Sequence, residues 1–209
     1  MMKNTEWGAV SYLSHSKYGS AREIKVNNNS NHKTGYSALA STNQQTYPGG
    51  SGDGEAYNTS YNTEEGYLAS TTGNISGIYD MSGGAHEYTA SRISNKLGSS
   101  GFKAATIAEY DEKYFDLYSA SSTATTYKYR ILGDATGEMG PFKDFLDGDN
   151  NSRNHNSWYN DSANFIESTN QWFFRGAVYN AGILSGQFQF NSTTGEAQSG
   201  HSFRIILMP

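Results

Sequence analysis

The stretch GIYDMSGGAHEYTA, residues 77–90, decides how this chain is interpreted. It contains two carboxylates, Asp80 and Glu87, and one strong metal ligand, His86. The carboxylates lie seven residues apart in a glycine-rich segment, a spacing that does not define an acid–base pair. We therefore expect Glu87 to be a buried carboxylate that accepts hydrogen bonds from backbone donors.

The composition indicates a folded single domain. Aromatic residues make up 14% of the chain, 16 tyrosines among them, and the net charge is only −5. Because aromatic rings bury large areas, a tyrosine-rich core compensates for a low content of aliphatic side chains. The sequence contains no internal repeat and no credible linker, so we expect one domain over residues 1–209.

Charge and hydropathy exclude some partners. Lysine and arginine are scattered along the chain and the isoelectric point is near 5.5, which predicts no nucleic-acid binding. No stretch approaches the ~20 apolar residues that a membrane span needs, which predicts no membrane insertion. The absence of cysteine excludes disulfides and thiol chemistry.

Two segments have helical periodicity. Residues 4–16 predict a helix with Asn4 or Thr5 as N-cap and Gly19 at its end. Its apolar face contains Trp7, Val10 and Leu13. Residues 102–119 predict a second helix, whose stripe contains Ala104, Ile107, Tyr110, Tyr114, Leu117 and Tyr118.

The remaining chain predicts short strands and long loops. Residues 23–28 alternate like a strand, and residues 27–72 and 133–170 are typical of surface loops. Towards the C-terminus, three strands separated by glycine-rich turns are expected over residues 172–179, 186–191 and 202–209.

Metal and nucleophile motifs are weak. The segment DGDNNSRNHN begins like a calcium loop, with Asp147, Asp149 and Asn151 at alternate positions. Ser152 and Trp158 stand where such a loop requires glycine and glutamate, so a solvated acidic turn is favoured. The five histidines never occur at close ligand spacing, and no G-x-S-x-G elbow is present. We expect no metal and no cofactor.

Residues 77–90 resemble the G-L-x-D-M-x-G-N-V-W-E-W motif of the formylglycine-generating enzyme family, which has a variant of the C-type lectin fold. Three further motifs are present in the order expected for that family. TEWGAVSYLS (5–14) resembles its E-W-E-Y-A-A-R helix, FFRGAVY (173–179) its R-G-G-S-W strand, and SFRIIL (202–207) its terminal G-F-R strand. The resemblance implies an α+β C-type lectin fold of this type, with two helices packed on short antiparallel strands and much irregular loop. It also implies buried motif positions, namely Trp7, Tyr79, Met81, Tyr88, Trp172 and Phe203.

The departures from the family imply a scaffold without its catalysis. The oxygen-activating members use a cysteine pair and the sulfoxide synthases a set of three histidines, and neither is present here. His86 and Tyr88 replace the two tryptophans of the motif. Family members usually carry strands before the first helix, so we expect the C-terminal strand to take a partner strand from upstream sequence or a neighbouring chain.

Of the branches of this fold, a non-catalytic one fits the sequence best: it resembles the variable ligand-binding proteins of diversity-generating retroelements. Their mutable positions lie between the R-G and G-F-R motifs, which corresponds to residues 175–204. In GQFQFN, Phe188 and Phe190 share one face of a strand and the polar residues share the other. We therefore predict a binding face over residues 177–201, inside the strand region 172–209. Its expected contacts are Tyr179, Gln187, Gln189, Asn191, Gln198 and His201, with Val178 and Leu184 as apolar anchors.

This resemblance favours a non-catalytic adhesin or receptor-binding module, extracellular on a bacterial surface or a phage particle, with a protein or glycan ligand on a host or target cell. Two alternatives stay open. One is a structural or assembly domain of a pilus or phage particle, completed by a strand from a neighbour. The other is a metal-dependent enzyme that uses Asp80, His86 or Glu87.

Overall fold

The computed structural model describes residues 1–21, 24, 64, 66–79, 81–83, 85–119, 143–144, 155–156, 162–178 and 186–207. Within these residues the chain is a mixed α+β protein, with two short α-helices and one sheet of eight strands. The α+β class that the sequence predicts is confirmed.

The central strand of the sheet is β1, His86–Ile93, which includes the second part of the 77–90 stretch. It pairs antiparallel with β6, Trp172–Arg175, and Tyr88 lies opposite Phe174. The register shifts between Tyr88 and Arg92, as at a β-bulge. Aromatic and β-branched residues favour both strands because they pack well on a pleated surface.

The other described strands are short: β2 (Asp116–Tyr118), β3 (Lys143–Asp144), β4 (His155–Asn156), β5 (Ser162–Ala163), β7 (Phe190–Thr193) and β8 (His201–Ser202). The strand order is β2-β1-β6-β7-β5-β4-β3, and β8 also pairs with β1. Three pairs are parallel, namely β1–β2, β1–β8 and β5–β7. The sheet is therefore mixed, whereas antiparallel strands were predicted. Strand β6 lies along one edge of β1. The other edge of β1 is therefore shared by β2 and β8.

The predicted loops 27–72 and 133–170 contain regular structure where they are described. A 3₁₀-helix covers Gly66–Ala69, and β3, β4 and β5 lie within the second segment. Strands of two residues carry no visible periodicity, which explains why the pattern missed them. The calcium-like positions Asp147, Asp149 and Asn151 lie outside the described residues, as does the predicted strand 23–28 apart from Ile24.

The first predicted helix is present as α1, Asn4–Ser14, with different ends. Lys3 is the N-cap residue, and its backbone N–H donates to the Glu6 carboxylate at 2.7 Å. Neither predicted cap residue caps the helix, because their side chains bind across to the sheet: Asn4 Nδ2 donates to Tyr118 Oη at 3.1 Å, and Thr5 Oγ1 donates to Asp116.

The buried face of α1 also differs from the prediction. Trp7 is fully buried, but Leu13 is 54% exposed. Ser11 and Ser14 are buried instead, and the Ser11 hydroxyl donates to the carbonyl of Gln187 at 3.0 Å. Small polar side chains at these positions let the helix approach the backbone of the C-terminal region.

The second predicted helix is wrong over most of its length. Only α2, Ala104–Ala108, is helical, and a 3₁₀-helix follows at Glu112–Tyr114 before β2. The Asp111 side chain accepts the backbone N–H of Lys113 at 2.9 Å and so caps this turn. The predicted stripe is split: Ile107 and Tyr118 are buried, whereas Tyr110 and Tyr114 are 55% and 46% exposed.

Two clusters of buried side chains form the core. The larger one packs aromatic rings edge to face, with Phe165, Phe173 and Phe190 at centroid distances of 5.4–5.7 Å. The smaller one lies under α1 and contains Met2, Trp7, Ile24 and Met81.

Burial of the motif positions is confirmed for Trp7, Met81 and Trp172. Tyr79 and Tyr88 are half-buried rather than buried. The prediction is wrong for Phe203, which is 61% exposed because it follows β8 and lies beside a surface groove. In the part of the chain that the structure describes, no helix has the length and apolar character needed to cross a membrane.

Candidate functional site

The described part of the predicted binding face, residues 177–178 and 186–201, is not one surface. Gln187 and Gln189 are 0% and 2% exposed, and the four residues 186–189 precede β7 as a turn rather than a strand. The alternation of exposed and buried side chains therefore does not apply to this segment, although Phe188 and Phe190 are buried as predicted.

Both glutamines act as internal connectors. Gln187 Nε2 donates to the Ser11 carbonyl at 3.1 Å, its Oε1 accepts the Ser14 hydroxyl at 3.1 Å, and its amide also contacts the His15 ring. Gln189 Oε1 accepts the backbone N–H of Ala177 at 3.0 Å. Assigning these two side chains to ligand contact is a mistake, because each satisfies buried polar groups of its neighbours.

The other predicted contacts are spread over the molecule. Asn191 is half-buried, and its Oδ1 accepts the amide of Asn164 at 3.1 Å and the N–H of Ser192 at 2.7 Å. Val178 is half-buried and does not line the groove described below. Tyr179 and Leu184 lie outside the described residues.

Gln198 and His201 do come together, in an open concavity of about 300 Å³ that we call the aromatic groove. The aromatic side chains in its lining are Tyr88, Phe102, Trp172 and Phe203. The groove lies on the face of β1 that carries His86 and Tyr88. Thr89 and Ser91 belong to the opposite face, where they bond with Asn4 of α1.

Two contacts fix the base of the groove. Trp172 Nε1 donates to the Leu97 carbonyl at 3.0 Å, and the Trp172 and Phe102 rings lie 5.8 Å apart. Gly195 has a φ of +89°, and a Cβ there would lie 2.5 Å from Trp172 Cδ1. Glycine at this position is therefore required both by the backbone conformation and by the close approach of the indole.

A histidine–tyrosine cluster forms one side of the groove. Tyr88 Oη donates to the Glu196 carbonyl at 2.7 Å and lies 3.1 Å from His201 Nδ1. Since the hydroxyl has a single proton, His201 Nδ1–H is the donor to the Tyr88 oxygen. His86 lies opposite His201 in the β1–β8 pair, and its ring centroid is 4.1 Å from that of Phe174.

Burial disfavours the charged form of both imidazoles. Burial, and secondly the nearby His201, lowers the pKa of His86 to about 4. Burial also lowers the pKa of His201, against a smaller opposing effect of Glu196. No charged side chain is present among the described residues that line the aromatic groove.

The chain segment that carries Phe203 is held by its neighbour Arg204. The Arg204 guanidinium forms an ion pair with the Glu87 carboxylate and donates to the Tyr79 carbonyl at 3.3 Å. Glu87 is buried as predicted, but its partner is this guanidinium rather than the backbone donors that we expected. The Met2 N–H donates to the Arg204 carbonyl at 2.9 Å, and the Met2 carbonyl accepts the Ala90 N–H at 2.8 Å. Met2 thus connects the C-terminal segment to β1.

Sequence reasoning missed most of the groove. Ser100 and Ala197 come from irregular segments with no periodicity, Phe102 was assigned to the start of the second helix, and Phe203 was assigned to the core. Tyr88 was singled out only as a motif position. Among the described residues, no three His, Asp or Glu side chains are grouped in a way that could hold a metal ion.

No protein-family model matches this chain, and no curated protein and no solved structure is significantly similar to it.

Proposed function

We propose that this chain is a non-catalytic ligand-binding module that holds a protein or glycan ligand in the aromatic groove. The observation that carries the proposal is the convergence of four aromatic side chains with Gln198 and His201 around an open concavity of about 300 Å³. Ligand sites are typically concave, lined by apolar and aromatic groups, and supplied with few polar groups. The proposed site keeps the predicted contacts Gln198 and His201 and leaves out Gln187 and Gln189.

We also propose that the fold is the C-type lectin fold of the formylglycine-generating enzyme type. The four motif segments meet around Trp7, which supports this assignment. The guanidinium carbons of Arg204 and Arg175 lie 5.4 Å and 5.7 Å from the Trp7 ring centroid, and Met81 packs in the same cluster. The backbone N–H of Gly83 donates to the carbonyl of Gly176, the residue after Arg175, at 2.6 Å.

Within this proposal the module is extracellular, on a bacterial surface or a phage particle, as for the variable proteins that it resembles. Gln198 is exposed and lies in an irregular segment between β7 and β8. Substitution at such a position usually changes stability by less than about 0.5 kcal/mol, which suits a surface whose residues differ between copies.

A binding panel tests the proposal. The protein is screened against arrayed glycans and bacterial surface proteins together with two variants, Ala197→Trp, which fills the groove, and Ala9→Trp, a matched change on the exposed side of α1. We expect binding by the parent and by Ala9→Trp, and loss of binding in Ala197→Trp. Equal binding by all three proteins contradicts a site in the groove.

A second candidate function, an assembly domain completed by a neighbour's strand, is favoured by the segment after β8. Ile205, Ile206 and Leu207 are 63%, 40% and 86% exposed, and they belong to no described strand. Such a row of apolar residues beside a sheet is a site for strand addition. Sedimentation of the parent and an Ile205→Lys/Leu207→Lys variant tests this function, because concentration-dependent association should occur only in the parent.

A further inference from the structure

We infer that the group entering the aromatic groove is an apolar side chain of a protein rather than a sugar. This inference rests on the proposed function and narrows its ligand class. It is carried by the hydrogen-bonding state of the polar atoms around the groove.

Most side-chain hydrogen-bond donors of the lining already have a partner within the protein. Tyr88 Oη is bonded to the Glu196 carbonyl and to His201, and Trp172 Nε1 to the Leu97 carbonyl. Gln198 Nε2 donates to the Glu196 carboxylate at 2.5 Å.

Of the two serines of the lining, Ser202 has a partner for its hydroxyl proton, whereas Ser100 acts only as an acceptor. The Ser202 hydroxyl donates to the His86 carbonyl at 3.4 Å, and the Ser100 hydroxyl accepts the Phe102 N–H at 3.4 Å. A sugar presents several hydroxyls that need partners, and each one left unpaired on burial costs about 1–3 kcal/mol. The groove therefore offers a sugar few free donors, whereas an apolar group requires none.

Charge and shape agree with this ligand class. Among the described residues no charged side chain lines the groove, which is compatible with an uncharged ligand group. A volume of about 300 Å³ lies at the small end of ligand sites, which span ~300–1,000 Å³. That size suits one large side chain.

The groove also continues along the surface. Met1 and Phe102 line both the aromatic groove and a second concavity of about 830 Å³. Its lining combines the exposed Ile205 and Ile206 with the charged residues Lys3, Glu6 and Lys113. Residues next to the bound side chain would therefore meet further apolar surface, which strengthens binding in proportion to the area buried.

Amide chemical shifts of the isotope-labelled protein test the inference. The probes are N-acetyl-phenylalaninamide and N-acetyl-leucinamide, compared with glucose, galactose, mannose and N-acetylglucosamine at the same concentrations. We expect the two amides to shift resonances of residues 86–88, 100–102 and 195–203, and the sugars to leave them unchanged. In Ala197→Trp the apparent affinity for the amides should fall at least about tenfold, a change of about 1.4 kcal/mol, whereas Ala9→Trp should behave as the parent.

The outcomes separate the inference from the proposed function. Sugars that shift these resonances as strongly as the amides overturn the apolar ligand class and leave a ligand-binding groove in place. Probes of both kinds that shift none of these resonances contradict the groove as a site, and with it both proposals. Amide binding that is equal in Ala197→Trp and the parent places the bound probe elsewhere and overturns the inference.

Discussion

Replacing Gln187 by alanine should destabilise the protein, whereas the same change at Gln198 should not. Gln187 is fully buried, and its side chain bonds to Ser11 and Ser14 of α1 and to His15, the C-cap residue of that helix. Gln198 is exposed. Truncation leaves the Ser14 hydroxyl without this acceptor, and a buried polar group without its partner costs about 1–3 kcal/mol. The cavity left by the lost atoms costs about 1 kcal/mol more. We expect a total loss of about 2–4 kcal/mol.

Thermal unfolding followed by circular dichroism measures this difference. For a chain of this length each kcal/mol lowers Tm by about 2–4 °C, so Gln187→Ala should melt about 5–15 °C below the parent. Gln198→Ala should stay within about 0.5 kcal/mol of the parent. Gln187→Met keeps most of the volume and loses the hydrogen bonds, so its Tm should lie between those of the parent and Gln187→Ala. Equal melting of Gln187→Ala and Gln198→Ala would place Gln187 at the surface and refute the reasoning.

Three further predictions concern stability. Trp172→Ala should cost about 3–5 kcal/mol because the indole is 1% exposed, and an unchanged melting curve would contradict its place in the core. Glu87→Gln should cost about 2 kcal/mol of unfolding free energy, since it weakens the acceptor of the Arg204 guanidinium. Denaturant titration measures this cost, and a value below about 0.5 kcal/mol, the level of an exposed site, argues against the ion pair. The lowered pKa of His86, about 4, means that the unfolded state binds the proton first, near pH 6.5. The contribution of His86 to stability should therefore be fully present above pH ~6.5 and be lost towards pH ~4. His86→Gln should reduce the fall of Tm with pH over this range, and an equal fall in the variant and the parent contradicts the burial of the ring.

The sequence predicted those elements whose local pattern coincides with tertiary packing. The Trp7 helix and β6, the first of the predicted C-terminal strands, fall where they were expected, because large apolar side chains there have core partners. No strand was predicted over β1, although it begins within the 77–90 motif. The 102–119 stripe had the same periodicity, but Tyr110 faces solvent and Asp111 caps a 3₁₀ turn. Periodicity shows that a segment has an apolar face without showing that a core lies opposite it.

The candidate site was less accessible to prediction for a related reason. Alternation in GQFQFN is equally compatible with an exposed polar face and with two glutamines that bond inward, and only the positions of α1 and Ala177 decide between them. The aromatic groove is assembled from β1, β6, β8 and irregular segments that are distant in the sequence. Such an arrangement leaves no signal in any one window of residues.

Hydrogen–deuterium exchange, measured with and without the strongest ligand from the binding panel, tests the central claim most directly because it locates the bound surface. The proposed function predicts slower exchange over residues 86–88, 100–102 and 195–203, with little change over the 3₁₀-helix at Gly66–Ala69. Protection confined to regions outside the aromatic groove would contradict it.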